Sequence, residues 1–437
     1  METRRPVSLL KKGIDDLKQT WPEEPDRFLE QHVDPFLLWC VARNASDITF
    51  QTSRSVYAEI FGTLYPATYR SIDGADMTAI ISRIYGAEAL AILAGGRDID
   101  MSYEIMTDRF TRTRFRVNIT AILAGGRDGI QITMRTLPQE PPTMLSLGVE
   151  EEIIKNWRPR QGLVLVTGPT GSGKSTLLAA GIRMLVESLH GCGKLLTYEA
   201  PIEFTYDAVL SRRSLVAQSE IPRHLPTFAA GVRNALRRKP EIILVGESRD
   251  RETISASIEA GQTGHLVFST VHTTGVAATI RRMVSTFEPS ERSERAYSLM
   301  ETTRLIITQT LVPKIGGGRQ ALREYMVFDE EVRERMLSLP FDKWPAELMA
   351  MVPVRGKTME ESARQAYEAG IIDKRYYLLY AQGAKAARKA MEETSGAAAR
   401  TEPAQQIEGE SAALPAQPIE EEAAPARSPA QRTEQEG

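Results

Sequence analysis

Cysteine is nearly missing from this chain: among 437 residues only Cys40 and Cys192 occur. Two cysteines exclude a multi-disulfide scaffold and a four-cysteine zinc site, and they fit a reducing compartment. Long apolar runs are missing as well. No stretch approaches the roughly 18 uninterrupted apolar residues of a membrane span. The opening residues, Met-Glu-Thr-Arg-Arg-Pro-Val-Ser-Leu-Leu-Lys-Lys, lack the apolar core of a secretory leader. A large excess of one charge is missing too, the net charge being −3. Residues 392–437 hold ten Glu and three Arg and carry −7, which leaves +4 on the remainder. No basic stripe with interleaved aromatics is visible, so direct nucleic-acid binding is not expected. A cytoplasmic protein that reaches a membrane only through partners is expected.

What is present is a glycine loop between a strand and a helix. Residues 163–176 read Leu-Val-Leu-Val-Thr-Gly-Pro-Thr-Gly-Ser-Gly-Lys-Ser-Thr. Gly168, Gly173, Lys174 and Ser175 fill the four fixed positions of the P-loop pattern, with Pro169, Thr170, Gly171, Ser172 and Thr176 completing the segment. Glycines let the backbone wrap so that its N–H groups face phosphate oxygens, and the helix N-terminus adds partial positive charge. Lys174 is expected to reach the β/γ-phosphates of ATP, and Ser175 to hold Mg²⁺.

The rest of the chain divides around this loop. Residues 1–30 read as an N-terminal extension and 31–137 as an α+β domain. Strands are expected at 47–51, 56–63, 113–121 and 130–137, and a helix at 77–85. A Pro-rich linker follows at 138–145. From 146 to 289 short apolar runs at 195–198, 242–245 and 266–269 alternate with helical patterns at 227–239 and 250–261, a doubly wound α/β arrangement. Residues 290–391 read as helical. The tail, 392–437, has almost no large apolar residue and is expected to be disordered. The octapeptide Ala-Ile-Leu-Ala-Gly-Gly-Arg-Asp occurs twice, at 91–98 and 121–128. It is expected to end a helix or strand in a Gly-Gly turn each time.

Further chemistry-bearing residues flank the strands. Glu247 follows the apolar strand 242–245, at the edge where open α/β sheets bind ligands, and is a candidate to orient or deprotonate water. Glu199 and Glu203 follow another strand. They are candidates to polarise water or, for Glu199, to hold a cation through water. His265 and His272 bracket a third strand, with His272 the better placed to donate to a γ-phosphate. Arg114, Arg116 and Arg135 stand on two strands of the first domain, where an arginine can neutralise charge on a transferring phosphoryl group.

Taken together, the segments 114–118, 168–175, 199–203, 242–250, 263–265, 272–274, 309–311, 316–324 and 366–372 resemble the secretion and pilus-motor ATPases of the PilT-like family. The resemblance spans roughly residues 34 to 385. It implies a PAS-like N-terminal domain joined to a RecA-like ATPase domain, a homo-hexamer, and ATP with Mg²⁺. It also implies that Glu247 ends an atypical Walker B motif in which glycine, here Gly246, normally precedes the glutamate. Glu203 then belongs to an acidic box and His272 to a histidine box, while Arg114, Arg116 and Arg135 pack against a neighbouring subunit's nucleotide. One departure is Ala200, where PilT-like chains carry Asp. The runs Thr-Tyr-Glu-Ala-Pro-Ile-Glu-Phe and Gly-Ile-Gln-Ile-Thr-Met-Arg-Thr most resemble the DotB-type ATPases of type IVB (Dot/Icm) secretion and related conjugation systems. The implied function is a cytosolic motor, peripheral at the inner membrane, that drives such a machine together with its membrane components. The alternatives are a pilus-retraction ATPase, a nucleic-acid motor and a non-hydrolysing nucleotide-gated adaptor.

Overall fold

The computed structural model describes residues 20–108, 112–138, 140–211 and 213–383. Residues 1–19 of the expected extension and the whole expected tail lie outside them.

The first domain runs α1 (Glu30–Ala42), β1 (Ala45–Gln51), β2 (Tyr57–Ile60), β3 (Thr63–Pro66), α2 (Gly74–Ile84), α3 (Ala89–Ala94), β4 (Ile99–Met106), β5 (Arg112–Ala124) and β6 (Arg127–Leu137). Its six strands form one antiparallel sheet in the order β3-β2-β1-β6-β5-β4. Alternation aims Phe115, Val117, Ile119, Ile132 and Met134 at one face. There Phe36 and Leu37 of α1 and Ile80 and Ile81 of α2 bury them. The expected single strand at 56–63 is instead a hairpin. Phe61 and Gly62 both take positive φ, 50° and 79°, as a tight two-residue turn requires. Strand β4 was not anticipated.

The second domain builds on a sheet ordered β14-β13-β12-β7-β11-β10-β8-β9. Strands β7 (Gly162–Thr167), β8 (Gly193–Glu199), β9 (Ser214–Glu220), β10 (Ile242–Val245), β11 (Leu266–Val271) and β12 (Thr303–Pro313) run parallel. β13 (Arg319–Val327) and β14 (Gly356–Lys357) add an antiparallel flank. Apolar clusters cover both faces, so the central strands are fully buried. The expected helical reading of 290–391 needs correction, because β12 and β13 lie within it and β12 pairs directly with the P-loop strand β7. The run Leu305, Ile306, Ile307, entirely buried, is the pattern of a strand covered on both faces.

Close packing under the P-loop helix, Lys174–Glu187, is tight. A Cβ built on Gly181 would lie 2.0 Å from Cζ2 of the buried Trp157. Gly181→Ala is therefore expected to lower stability by about 1–3 kcal/mol through overpacking, despite alanine's better helix propensity. A thermal melt checks it.

Candidate active site

Parallel strands put their C-terminal ends on one edge, and that edge gathers the chemistry. β7 ends in the P-loop, β8 in Glu199, β10 in Gly246 and Glu247, and β11 in His272. β11 stands between β7 and β10, so the loop and Glu247 flank one strand rather than abut. A cavity of about 350 Å³ opens there, lined by Lys174, Ser175, Glu199, Glu203, Glu247 and His272 among others.

The P-loop itself is shaped for an anion. Its helix begins at Lys174, just after Gly173, whose φ of 80° turns the chain sharply, and no side chain caps it. The first-turn N–H groups are thus free of side-chain competition for phosphate oxygens. Lys174 Nζ donates to the carbonyls of Gly168 and Pro169 at 3.0 Å each. Burial lowers the pKa of this ammonium, and the nearby Glu247 and Glu203 oppose that shift. Among the described residues no group of three or more His, Cys, Asp or Glu could hold a metal ion. The donor set therefore fits Mg²⁺ carried mainly by nucleotide phosphates and the Ser175 hydroxyl.

Opposite the loop, backbone pins aim Glu247. Gly246 N–H donates to Tyr198 O at 2.8 Å, Thr270 Oγ1 donates to Gly246 O at 2.6 Å, and Ser248 N–H donates to Thr270 O at 2.9 Å. The carboxylate of Glu247 lies 3.8 Å from His272 Nε2. His265 sits at the other end of β11, its Nδ1 near Ala260 O at 3.2 Å, and takes no part in this edge.

The first domain closes over the cavity with its arginine strand. Arg116 pairs with the Glu203 carboxylate at 3.3 Å and lines the cavity. Arg114 is buried, and its guanidinium donates to Ile202 O at 2.7 Å and Glu203 O at 2.9 Å. Its structural part is thus to hold the acidic loop in place. Arg135 stands directly across from Arg116 on β6, but it pairs with Asp47 on β1 at 2.9 Å and does not line the cavity.

Sequence reasoning missed Glu220. This buried carboxylate ends β9 beside Glu199 and accepts from Ser102 Oγ at 2.6 Å, Ser102 N–H at 3.2 Å and Ile202 N–H at 3.3 Å. It joins the first domain to the acidic loop, and only the unanticipated neighbours β4 and β9 reveal it.

Glu199 accepts from Thr197 Oγ1 at 2.6 Å and Gln218 Nε2 at 3.2 Å. Burial nevertheless pushes its carboxyl up to about 7, from 4.5 in an ordinary setting. The fold thus favours the neutral acid. The stability this lends is complete below the ordinary value and is lost as pH rises through about 7. Glu199→Gln, which mimics the neutral acid, is expected to raise the Tm near pH 8 and change it little near pH 5. Melts without nucleotide check this.

The type II/IV secretion system protein family matches residues 23–368. The crystal structure of the Legionella pneumophila ATPase DotB superposes with a TM-score of 0.79 at 48% identity, covering 83% of this chain and 98% of that one. The Yersinia pseudotuberculosis ATPase DotB gives a TM-score of 0.68 at 36% identity, covering 82% and 96%. The type IV pilus retraction ATPase PilT of Pseudomonas aeruginosa is 44% identical over 220 residues, which are 50% of this chain and 61% of that protein.

Proposed function

Because the chain belongs to the type II/IV secretion system protein family and is one of its ATPases, we propose that it works as a hexamer docked on an inner-membrane type IVB secretion or conjugation machine. ATP hydrolysis would move the N-terminal domain against the ATPase domain. The observation that carries this reading is the shared cavity: Arg116 of one domain meets Glu203 at the same opening that Lys174 and Glu247 of the other line. A nucleotide at that opening touches both domains, so hydrolysis changes what holds them together. The likeness to two DotB ATPases supports the type IVB assignment.

The residues divide the work. Lys174 binds the β/γ-phosphates and Ser175 holds Mg²⁺, which when bound neutralises phosphate charge. Glu247 takes the proton of the attacking water, with Glu203 assisting, and His272 donates toward the γ-phosphate. Arg116, which lines this chain's own cavity and not, as the resemblance implies, a neighbouring subunit's, offsets charge on the transferring group. Among the described residues no helix is long and apolar enough to cross a membrane. Attachment at the membrane then falls to partners.

The reading is tested by expressing Glu247→Gln in native cells, crosslinking, and identifying co-purifying proteins by mass spectrometry. Secretion-channel and coupling components are the expected catch. A pilus platform with its pilins would instead make this a retraction motor, as the likeness to PilT allows.

A further inference from the structure

Arg323 on β13 is among the most completely enclosed side chains of the protein, 2% exposed. Its guanidinium serves four acceptors. Nε donates to Gln309 Oε1 at 2.8 Å, Nη1 to Gly148 O at 3.0 Å and to Glu150 at 3.1 Å, and Nη2 to Leu147 O at 3.0 Å. Such a rigid planar fork fixes the groups it bonds relative to one another. One of those groups is the Gln309 amide. With its oxygen turned to Arg323, its nitrogen must face the other way, and Nε2 donates to the P-loop carbonyl of Ser172 at 2.7 Å.

Gln309 also packs against both ends of the P-loop. A Cβ on Gly168 would lie 2.2 Å from Gln309 O, and one on Gly173 would lie 3.0 Å from Gln309 Nε2. Gly168 and Gly173, at the two ends of the loop, thus lie close against Gln309. At the far end, the segment that leaves the first domain is fastened to the ATPase domain. Pro141 O accepts from Arg183 at 2.6 Å, Met144 is buried, and Glu150 is shared between Arg323 and Lys357, the latter at 2.7 Å.

We propose that Gln309 and Arg323 are positioning residues that form a relay from the P-loop to the interdomain connection at 143–150, so that phosphate binding at the loop is transmitted to the segment joining the two domains. The proposal rests on the reading of the P-loop cavity as the ATP site. No covalent step is involved. Phosphate accepting from the Gly173 N–H shifts the Ser172–Gly173 peptide unit, its carbonyl moves the Gln309 amide, the amide moves the guanidinium, and the guanidinium holds two carbonyls and one carboxylate of the connection.

The test uses the full chain. Binding of a fluorescent ADP is measured first. Hydrogen exchange over 143–150 is then followed by mass spectrometry, with and without ADP and Mg²⁺. In the wild type, nucleotide slows exchange there. Gln309→Glu keeps, and strengthens, the contact to Arg323 while placing an acceptor against the Ser172 carbonyl, so the fold is retained and the relay is cut at one end. Arg323→Lys keeps the charge but not the fork, cutting the relay in the middle.

Each variant is expected to bind ADP yet show the nucleotide-dependent slowing over 143–150 reduced by about tenfold, within the usual range for coupling between sites. A merely structural role would alter basal exchange and leave the response to nucleotide intact. An undiminished response in either nucleotide-binding variant overturns the relay. Wild-type protein that binds ADP without any response at 143–150 overturns it as well. Failure of the wild type to bind ADP overturns the ATP-site reading, and the relay with it. Should Arg323→Lys not fold, Gln309→Glu decides alone.

Discussion

Lys174→Ala is expected to abolish ATP turnover, lowering kcat by about 10²–10³-fold or more, the scale for losing one electrostatic contact in a transition state. The ammonium sits within reach of the loop, hydrogen-bonded to the Gly168 and Pro169 carbonyls. Burial makes its charge costly to hold, and Glu247 and Glu203 supply compensating negative potential. In the proposed ATP complex a phosphate would replace those loop carbonyls as the partner. Alanine leaves the amides of the helix N-terminus, so weakened nucleotide binding persists while charge stabilisation on the transferring group is lost. Among the described residues the side chain bonds loop carbonyls alone, so the melting temperature should change little. Steady-state phosphate release beside a circular-dichroism melt separates the two effects. Turnover retained in this variant would sink the P-loop assignment.

The second large effect is expected at Glu247. Glutamine keeps its size and hydrogen bonding but takes no proton, so turnover should fall by about 10²–10⁴-fold, the range of general-base catalysis. Nucleotide affinity should survive, because Lys174, Ser175 and the loop amides are untouched. The aim of residue 247 is set by the three backbone and hydroxyl bonds around Gly246 and Ser248, none of which involves the altered side chain. Glu203→Gln is expected to be milder. Its carboxylate is already engaged by Arg116 at 3.3 Å, whereas Glu247 lies 3.8 Å from the imidazole of His272. Single-turnover rates on the two variants rank them, and a larger loss at Glu203 would reverse the assignment of the principal base.

Much of this site is legible along the chain because each part is local. A P-loop is one continuous segment whose glycines, lysine and serine act on one phosphate group. Glu247 follows the apolar run 242–245 and His272 the run 266–271, apolar except for Ser269 and Thr270; both read as buried strands, and the C-terminal edge of a parallel sheet is where such residues meet. The arginines were legible as a set but not as individuals. Alternation places Arg114 and Arg116 on one strand, yet it does not say that Arg114 is buried against the carbonyls of Ile202 and Glu203, nor that Asp47 engages Arg135. Gln309, Glu220 and Arg323 were not legible as functional residues, since their partners lie on other strands or in another domain.

The repeated octapeptide marks the boundary between the two kinds of information. At 91–98 its first four residues finish the helix α3; at 121–128 the same four finish the strand β5. Both copies turn at Gly-Gly, because glycine's tolerance of positive φ is local and travels with the sequence. Whether Ala-Ile-Leu-Ala becomes helix or strand is settled by what covers it: at the second copy, pairing of Ala121–Ala124 with β6 supplies backbone partners that no local preference provides. The same division holds for the whole molecule. By itself the sequence determined the Gly-Gly turns, the phosphate loop and the buried strands β7, β8, β10 and β11, all of which depend on neighbouring residues, but not the hairpin turn at Phe61 and Gly62 or the buried strand β12. The strand order that sets β11 between the loop and Glu247, the domain contact through Arg114 and Glu220, and the chain of bonds through Gln309 and Arg323 were decided only by tertiary structure. Each requires residues far apart in sequence to satisfy one another's buried polar groups.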